Sequence, residues 1–540
     1  MADVAALEPP LGPPLLAPPG GHLTKTGKID WLKVFLGFGG MAIGQFMAIL
    51  DIQIVTASLP QIQAGIGASV DEISWVQTIY LLAEVVIIPL TAYLTKMWGT
   101  RPFYVGASAL FIIASIATGL STSFEMMIVT RALQGLAGGA MIPAVFATAM
   151  TVFPPERRVT ANVIVSLIAT LAPTIGPTLG GHLTEWTSWR WLFFVNIPPG
   201  LLVIFLVGRF GDFDKGDPAL SKGIDWFGLA MMTVFLLSTQ YVLEEGSGEG
   251  WLKDDGILGL TVLAAVTGVI FIWRQLVYWQ PIVSLRPLGN RNFVIGMVMV
   301  FVSGISLYGG TFILPLFLGQ VLRYSAAEVG TTMLVSGLAM FLTAPIAGRF
   351  VRQMDPRIPM FVGFGLAAWG IGLGIRVNTN WSFPEFALMQ AMRGVGVMIG
   401  MIASQQLAVS TLPVSQMKDA SGLVNLMRNV GGAVGLAMVT TILSTNTATH
   451  YADLAAGVSQ ASAASQDMLA GLTTMLADSG AADPEGAGRK AFSMMIRREA
   501  AVLAFGDAFL FLAAGCAVAG VVSLLARPSR TPPPAPSGGH

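Results

Sequence analysis

Residues 172–181 read APTIGPTLGG, in the middle of a long apolar segment of the chain. Pro173 and Pro177 remove backbone donors from a helix and bend it. Gly176 and Gly180 are four residues apart, which places both on one face and lets a second helix pack closely there. The stretch therefore predicts a tightly packed helix, and its functional interpretation is a bent hinge helix between two halves of a membrane protein.

Apolar side chains dominate the whole chain. Of the 540 residues, 54% are hydrophobic and only 11% are charged, and the mean hydropathy is +0.69. In soluble domains roughly a quarter of the residues are charged, so this composition excludes a water-soluble enzyme. The net charge is zero, with 30 basic and 30 acidic residues, and gives no indication of nucleic-acid binding.

Fourteen apolar segments follow one another along the chain, each long enough to cross a bilayer. Their approximate ranges are 33–58, 73–95, 102–120, 125–150, 159–183, 190–208, 224–243, 256–277, 292–320, 327–349, 358–376, 384–409, 420–445 and 502–526. Long apolar runs must satisfy their backbone groups internally in lipid, which favours helices over the short alternating strands of a β-barrel. The sequence therefore predicts an all-α membrane protein with 14 transmembrane helices.

An internal repeat divides these helices into groups. RALQG at 131–135 in the fourth segment resembles QAMRG at 390–394 in the twelfth. The two segments hold equivalent places if the seventh and eighth are an insertion, and parallel repeats of this kind mark transporters that rock two halves about a midplane site. The predicted organisation is a disordered cytoplasmic tail (1–32), a six-helix bundle (33–208), a linker with two inserted helices (209–277), a second six-helix bundle (278–527) and a second tail (528–540).

The basic residues predict the orientation of the chain. With fourteen spans and both termini in the cytoplasm, nineteen Lys and Arg residues fall on the cytoplasmic side and eight on the outer side. A long outer loop then covers 446–500. Apolar residues between Met468 and Leu476 follow helical spacing. This helix either lies on its own bundle or forms a docking surface for an envelope partner.

Three charged residues stand out within the spans. Asp51 lies roughly 10 Å inside the outer end of the first helix, and Arg131 lies at about the same depth in the fourth. The two are expected to pair or to share a water-filled cavity, either as a structural ion pair or in proton coupling. Glu84 lies near mid-bilayer with no oppositely charged neighbour in sequence, as suits a proton carrier or a carboxyl group hydrogen-bonded to another helix.

The sequence shows no motif for metal binding, disulfide formation or ATP hydrolysis. Cys516 is the one cysteine, and the four histidines are scattered without ligand spacing. No phosphate-binding loop is present, so ATP hydrolysis by this chain is not expected. We therefore expect no metal or cofactor, and a proton gradient as the source of energy.

Over about 33–527, the chain resembles the fourteen-span drug:proton antiporters of the major facilitator superfamily, the EmrB/QacA type. The most specific similarity is the pattern A-x-x-x-G-P-x-x-G-G at 172–181, which marks antiporters of this superfamily. Ala172, Gly176, Pro177, Gly180 and Gly181 carry its fixed letters, and Pro173 belongs to the same hinge motif at a variable position. Further similar stretches are 50–60, 131–135, 189–200, 281–285, 291–293 and 425–432. The resemblance implies a major facilitator fold, two six-helix bundles plus a two-helix insertion, and links Arg131 to proton coupling.

The loop at 92–101 departs from the superfamily pattern. Leu94, Gly99 and Arg101 fit it, but Lys96 stands where the family has Asp. The carboxylate-based latch of the family therefore does not carry over to this loop. One interpretation is that Lys96 acts on a helix end of opposite polarity.

These observations together predict a proton-coupled multidrug efflux transporter of the cytoplasmic (inner) membrane, with Asp51 and Glu84 as proton sites tuned by Arg131. The substrate pocket is expected between the bundles, lined by Phe46, Tyr80, Gln134, Tyr308, Phe312 and Arg393. The alternatives are an exporter of a specific metabolite, peptide or siderophore, and a membrane enzyme or receptor. The expected partners are a small-molecule substrate, protons and the lipid bilayer. Nucleic acid is not expected as a partner. The resemblance adds a periplasmic adaptor protein and an outer-membrane channel.

Overall fold

The computed structural model of the chain describes residues 30–56, 58–69, 72–459, 463–479 and 483–527. In this part of the chain the regular elements are helices, as predicted. Most of the predicted tail at 1–32, and the tail at 528–540, lie outside the described residues. The first helix begins at Trp31, where the backbone N–H of Lys33 donates a hydrogen bond to Oδ1 of Asp30 at 3.3 Å.

Eight helices form the first bundle: α1 (Trp31–Thr56), α2 (Leu59–Ile66), α3 (Trp75–Trp98), α4 (Thr100–Gly119), α5 (Phe124–Val152), α6 (Pro155–Trp186), α7 (Trp191–Phe194) and α8 (Ile197–Phe210). The inserted pair is α9 (Trp226–Glu245) and α10 (Asp255–Val277). The second bundle holds α11 (Arg291–Gly304), α12 (Gly310–Gln320), α13 (Ala326–Gln353), α14 (Arg357–Leu373), α15 (Phe383–Ser410), α16 (Met417–Ser459), α17 (Ala463–Asp478) and α18 (Pro484–Ser523). Short 3-10 helices lie at Pro218–Gly223, Trp251–Lys253, Arg286–Gly289, Gly374–Arg376 and Val414–Gln416.

Thirteen membrane-length apolar helices occur among the described residues, at the places of thirteen predicted spans. Four of them combine more than one element. The helices α7 and α8 combine over Trp191–Phe210, and α11, a π-helical turn (Ile305–Gly309) and α12 combine over Arg291–Gln320. A 3-10 helix extends α14 at its end, over Arg357–Arg376, and another precedes α16, over Val414–Ala456. The place of the remaining span is occupied by α6, which is 32 residues long. The all-α membrane fold is therefore confirmed, with thirteen of the fourteen predicted spans found among the described residues.

Apolar side chains face both inward and outward. Large residues such as Phe111 in the first bundle and Phe364 in the second are almost fully buried. On the outer surface, Ile113, Phe205 and Val269 remain more than half exposed. In a bilayer such a surface contacts lipid, and the helices satisfy their own backbone hydrogen bonds.

Helix α6 packs against α1 of its own bundle and α13 of the other. A Cβ atom added to Gly176 would lie 2.5 Å from Cβ of Gln53, and one added to Gly180 would lie 2.5 Å from the carbonyl oxygen of Ile54. Around Gly181 there is open space. The helix continues through Pro173 and Pro177. The tight packing expected from residues 172–181 is thus present, whereas their role as a hinge stays a prediction.

The predicted outer loop at 446–500 is largely helical. Helices α16 and α18 have 43 and 40 residues, about twice the length that a bilayer needs. They therefore continue beyond the membrane, and α17 packs on α18. In α17, Leu469, Leu472 and Leu476 are half-buried, whereas Met468 and Met475 are exposed.

Candidate functional site

A fully buried polar network surrounds Asp51 inside the first bundle. Nη1 of Arg131 donates to Oδ2 of Asp51 at 2.5 Å and to Oε1 of Gln134 at 2.9 Å. Oδ1 of Asp51 accepts from Nε2 of Gln134 at 3.0 Å and from Nδ2 of Asn196 at 2.7 Å. Ser115 accepts from both amides, at 2.8 and 3.4 Å. We call these five residues the Asp51 network.

Arg131 is held from several directions. Its Nε atom donates to the carbonyl oxygen of Val76 at 3.0 Å. Its guanidinium carbon lies 4.4 Å from the ring centre of Tyr80 and 5.8 Å from that of Phe193. Nη2 is buried without a hydrogen-bond partner among the described residues, and the aromatic faces supply the favourable contact for this cation.

Asp51 and Arg131 therefore form an ion pair closed off inside one bundle. Pairing and additional hydrogen bonds offset the cost of burying two charges. Asn196 and Ser115 were not predicted as members of this site. Asn196 belongs to the 189–200 stretch, but the sequence does not show that it reaches Asp51.

A cavity of about 190 Å³ lies between the two bundles. Its wall is mostly apolar and combines α1, α3, α5, α6, α9, the π-helical turn, α12, α15 and α16. The principal lining residues are Ile49, Ile52, Gln53, Leu81, Glu84, Val85, Ile142, Gln240, Leu243, Glu244, Leu307, Tyr308, Phe312, Met401, Arg428, Asn429, Leu436 and Thr440. We call this space the central cavity. A concave, mainly apolar site with a few polar groups is typical of small-molecule binding.

Glu84 on α3 is the buried carboxyl group of the first bundle that faces the central cavity. It is 4% exposed. Its Oε1 atom accepts a hydrogen bond from Nδ2 of Asn429 on α16 at 3.0 Å. Its Oε2 atom is buried without a partner among the described residues. Glu84 thus contacts the opposite bundle through one oxygen and keeps the other free for a proton or a ligand.

Two of the six predicted pocket residues line the cavity. Tyr308 lies in the π-helical turn and Phe312 in the first turns of α12. A π-helical turn changes the direction of the side chains that follow it and is frequent at functional sites. The sequence showed no sign of this turn.

The other four predicted pocket residues lie outside the wall of the cavity. Phe46 packs on the core of the first bundle. Tyr80 contacts Arg131 and donates its hydroxyl to the carbonyl oxygen of Ala48 at 3.2 Å, and Gln134 belongs to the Asp51 network. Arg393 is buried in the second bundle, where it donates to Gln390 and Ser336, both at 3.0 Å.

Residues 92–101 contact the second bundle at the end where α16 begins. They are not an extended loop as predicted, because α3 continues to Trp98 and α4 begins at Thr100. Nζ of Lys96 lies 2.6 Å from Oδ1 of Asp419, in the first turn of α16. A helix N-terminus is the positive end of the helix dipole and repels a cation. The ion-pair partner of Lys96 at this helix start is therefore the Asp419 carboxylate. Lys96 itself lies in the last turn of α3, the negative end of that helix, so the interpretation that it acts on a helix end of opposite polarity stays a prediction.

The linker at 209–277 adds a second ion pair at the start of α16. Lys418 forms an ion pair with Asp214, which also accepts from the N–H and the hydroxyl of Thr100 at 2.7 and 2.9 Å. Gly99 has a φ of +86°, a conformation that favours glycine, and lies against Gly216 of the linker. Of the other two motif residues, Leu94 packs on the core and Arg101 is exposed.

No cluster of three metal-ligating side chains occurs in the part of the chain that the structure describes. The expectation that the chain works without a metal or cofactor stays a prediction. The polar groups at the central cavity are carboxyl, amide, guanidinium and hydroxyl groups. They can exchange protons and bind polar parts of a ligand.

Comparisons with known proteins identify the family. The sequence model of the Major Facilitator Superfamily matches residues 41–436. The chain is 37% identical over 417 residues to the colistin resistance protein EmrB of Acinetobacter baumannii, covering 77% of this chain and 81% of that protein. It is 28% identical over 426 residues to the multidrug export protein EmrB of Escherichia coli, covering 77% of this chain and 82% of that protein.

A solved structure shows the same fold. The human organic anion transporter MFSD10 superposes with a TM-score of 0.53 at 11% identity, covering 89% of this chain and 99% of that one. Its low identity supports the architecture alone. From the matched sequence model and the EmrB relatives, the chain is a multi-pass membrane protein that belongs to the Major Facilitator Superfamily, as a transporter of the EmrB type.

Proposed function

We propose that this chain is a proton-coupled exporter of amphipathic drugs and other toxic compounds, working by alternating access. Relatives named for multidrug export and for colistin resistance support this assignment. The observation that carries it is Glu84, a buried carboxyl group that lines the central cavity and hydrogen-bonds across the bundles to Asn429. Such a group can exchange a proton with the same space that holds a substrate.

The proposed mechanism uses competition at Glu84. When Glu84 is ionised, its free Oε2 atom attracts the polar or cationic part of a substrate. When a proton arrives from the outer side, the carboxyl group loses its charge and the substrate leaves. Because Asn429 belongs to the opposite bundle, the protonation state of Glu84 also affects a contact between the two halves, which is what alternating access requires.

The Asp51 network is the second proposed proton site, with Arg131 as its tuning residue. In this conformation Asp51 and Arg131 are fully buried, so a proton can reach Asp51 only after the helices rearrange. A buried ion pair whose stability depends on one proton is a bistable element. We propose that protonation of Asp51 weakens its contact with Arg131 and favours the other conformation.

The conformation seen here is proposed to be closed to the cytoplasm. Lys96 and Asp419 join the bundles at the end where α1 and α16 begin. Ser421 donates to the carbonyl oxygen of Pro143 at 2.8 Å near the same end. The central cavity extends toward the opposite ends of α1 and α9, where Gln53 and Glu244 lie. We place the chain in the cytoplasmic membrane with both termini in the cytoplasm, in line with the positions of its basic residues.

A partner in the envelope is proposed for the helices outside the membrane. Met475 and Met468 on α17 are 71% and 46% exposed, and flexible methionine side chains suit contact with another protein. An adaptor protein leading to an outer-membrane channel would dock here. Replacing both methionines with Glu should lower resistance in cells while leaving transport in isolated vesicles unchanged. An equal loss in both would contradict the partner and indicate a folding role.

The test of the function is proton flux in everted membrane vesicles energised to be acid inside. Addition of an exported drug should dissipate the gradient in the wild type and not in Glu84→Gln. Glu249→Gln is the matched control, because Glu249 is an exposed carboxylate outside the cavity. An unchanged response in Glu84→Gln would remove Glu84 from the mechanism. A wild type that responds to no drug in the panel would favour export of a specific metabolite, peptide or siderophore.

A further inference from the structure

A second carboxyl group, from the inserted pair, reaches the central cavity. Glu244 lies one residue before the end of α9, together with Gln240 and Leu243 in the cavity wall. Its Oε1 atom accepts a hydrogen bond from Oγ1 of Thr78 on α3 at 2.8 Å. Its Oε2 atom is buried and accepts no hydrogen bond of ordinary geometry from the described residues. The inserted pair is therefore part of the cavity wall.

Helix α9 is fixed in this position from both sides. It packs on α3 of the first bundle and on α16 of the second. The rings of Trp75 and Tyr241 are 5.7 Å apart between α3 and α9. Trp251, which follows α9, donates its indole N–H to Oγ1 of Thr441 on α16 at 3.0 Å. These contacts hold Glu244 at the seam between the bundles.

The two carboxyl groups of the cavity differ in their surroundings. Arg428 lines the cavity and acts electrostatically on Glu84. Glu244, in contrast, forms no ion pair with a described basic side chain. Glu244 interacts with the polar side chains of Thr78 and Gln240 and is repelled by the acidic Glu245. An ionised carboxylate that is largely shielded from water is stabilised by a nearby positive charge, and no described side chain forms an ion pair with Glu244.

We propose that Glu244 is a substrate-binding and specificity-determining residue that binds the cationic group of an amphipathic substrate. The apolar wall of Ile52, Leu243 and Phe312 would accept the hydrophobic body of that substrate. Thr78, which holds Glu244, is six residues before Glu84 on α3, an axial rise of about 9 Å. An elongated dication can thus contact both carboxyl groups, and a monocation can contact either. This inference rests on the proposed export function.

Binding to the purified full-length transporter in lipid nanodiscs tests the role of Glu244. The probes are tetraphenylphosphonium, whose positive charge does not titrate, and Nile red, a neutral dye. Glu244→Gln should weaken tetraphenylphosphonium binding by about tenfold, which corresponds to about 1.4 kcal/mol, and should leave Nile red binding unchanged. Glu244→Asp should restore part of the affinity for the cation.

Glu249→Gln is the matched control, since it removes a carboxylate from the exposed segment after α9 and Glu249 does not line the cavity. It should bind both probes like the wild type. Equal affinity of Glu244→Gln and the wild type for tetraphenylphosphonium would overturn the role of Glu244 while leaving the export function intact. A wild type that binds neither probe and shows no drug-dependent proton flux would overturn both.

A labelling experiment covers the case in which Glu244→Gln does not fold. The natural Cys516 is 1% exposed, so an introduced cysteine can be labelled selectively. Glu244→Cys should react with a cationic methanethiosulfonate reagent, and tetraphenylphosphonium, added well above the dissociation constant measured for that variant, should slow the reaction. Glu249→Cys, on the exposed segment after α9, should react at a rate that the probe does not change. Equal rates at Glu244→Cys with and without probe would contradict the proposal.

Discussion

Lys96 and Asp419 connect the two bundles of the transporter, with Nζ of Lys96 2.6 Å from Oδ1 of Asp419. The superfamily pattern that the 92–101 loop resembles has an acidic residue at the position of Lys96. Here the positive charge is in the last turn of α3 and the negative charge is in the first turn of α16. The contact between bundles is thus built with a different arrangement of charges.

Exchanging the two charges of this ion pair should show whether transport depends on the pair itself or on the individual charges. Lys96→Asp alone places two carboxylates together and should favour opening at this end, with transport lowered several-fold. The double variant Lys96→Asp with Asp419→Lys should recover most of the transport rate, because opposite charges again face each other. The measurement is drug-dependent proton flux in vesicles at low and high salt. A double variant as impaired as Lys96→Asp would show that the pair does not matter.

Removing one member of the buried Asp51–Arg131 pair should destabilise the protein. Asp51→Asn leaves Arg131 buried without a counter-charge, which costs about 3–5 kcal/mol. Arg131→Gln should cost a similar amount. Thermal unfolding of the purified protein in detergent measures both effects.

The double variant Asp51→Asn with Arg131→Gln is the control for this pair. It removes both charges and should be more stable than either single variant, while proton-coupled transport stays lost. Recovery of transport together with stability would mean that the Asp51 network is structural only.

Loss of the hydrogen bond between Glu84 and Asn429 should lower drug-dependent proton flux less than loss of the Glu84 carboxyl group. Asn429→Ala removes the donor and leaves a titratable carboxyl group at the cavity. Loss of a hydrogen bond to a charged group costs about 1.5–3 kcal/mol, so the proton flux should fall by roughly tenfold to a hundredfold. Glu84→Gln should abolish it. An Asn429→Ala variant with wild-type flux would indicate that the contact between bundles plays no part in coupling.

Substitution of a glycine in α6 by alanine should destabilise the protein where another helix packs against that glycine and should be tolerated where there is open space. Gly176→Ala places a Cβ atom 2.5 Å from Cβ of Gln53, and overpacking of this kind typically costs about 1–3 kcal/mol. Gly181→Ala is the matched control, because there is open space around Gly181. Thermal unfolding should show a lower midpoint for Gly176→Ala alone. Equal midpoints for the two variants would contradict close packing between α1 and α6.

Part of the candidate site was predictable because charges within apolar segments are costly and therefore conspicuous. Asp51, Glu84 and Arg131 stand out in this way, and matching depths predicted that Asp51 and Arg131 could meet. Asn196, Asn429 and Glu244 were not predicted. Polar residues in helices and at their ends are common, and only their contacts show which of them reach a buried carboxyl group or a cavity.

The pocket residues show the same limit. Tyr80 and Tyr308 are both tyrosines in apolar helices, and the sequence does not tell them apart. The structure directs Tyr80 toward Arg131 inside one bundle and Tyr308, through the π-helical turn, toward the cavity between the bundles. Which face of a helix points at a neighbour depends on packing between segments hundreds of residues apart.

The sequence alone determined that this is an all-helical membrane protein with a repeated architecture, because apolar length and the distribution of charge are local properties that lipid enforces. It also determined that Gly176 and Gly180 allow close packing. Only the tertiary structure decided that Lys96 meets Asp419, that Asp51 is closed off from the cavity, and that Glu244 of the inserted pair faces it. Those relationships join distant parts of the chain, and they depend on how whole helices pack against one another.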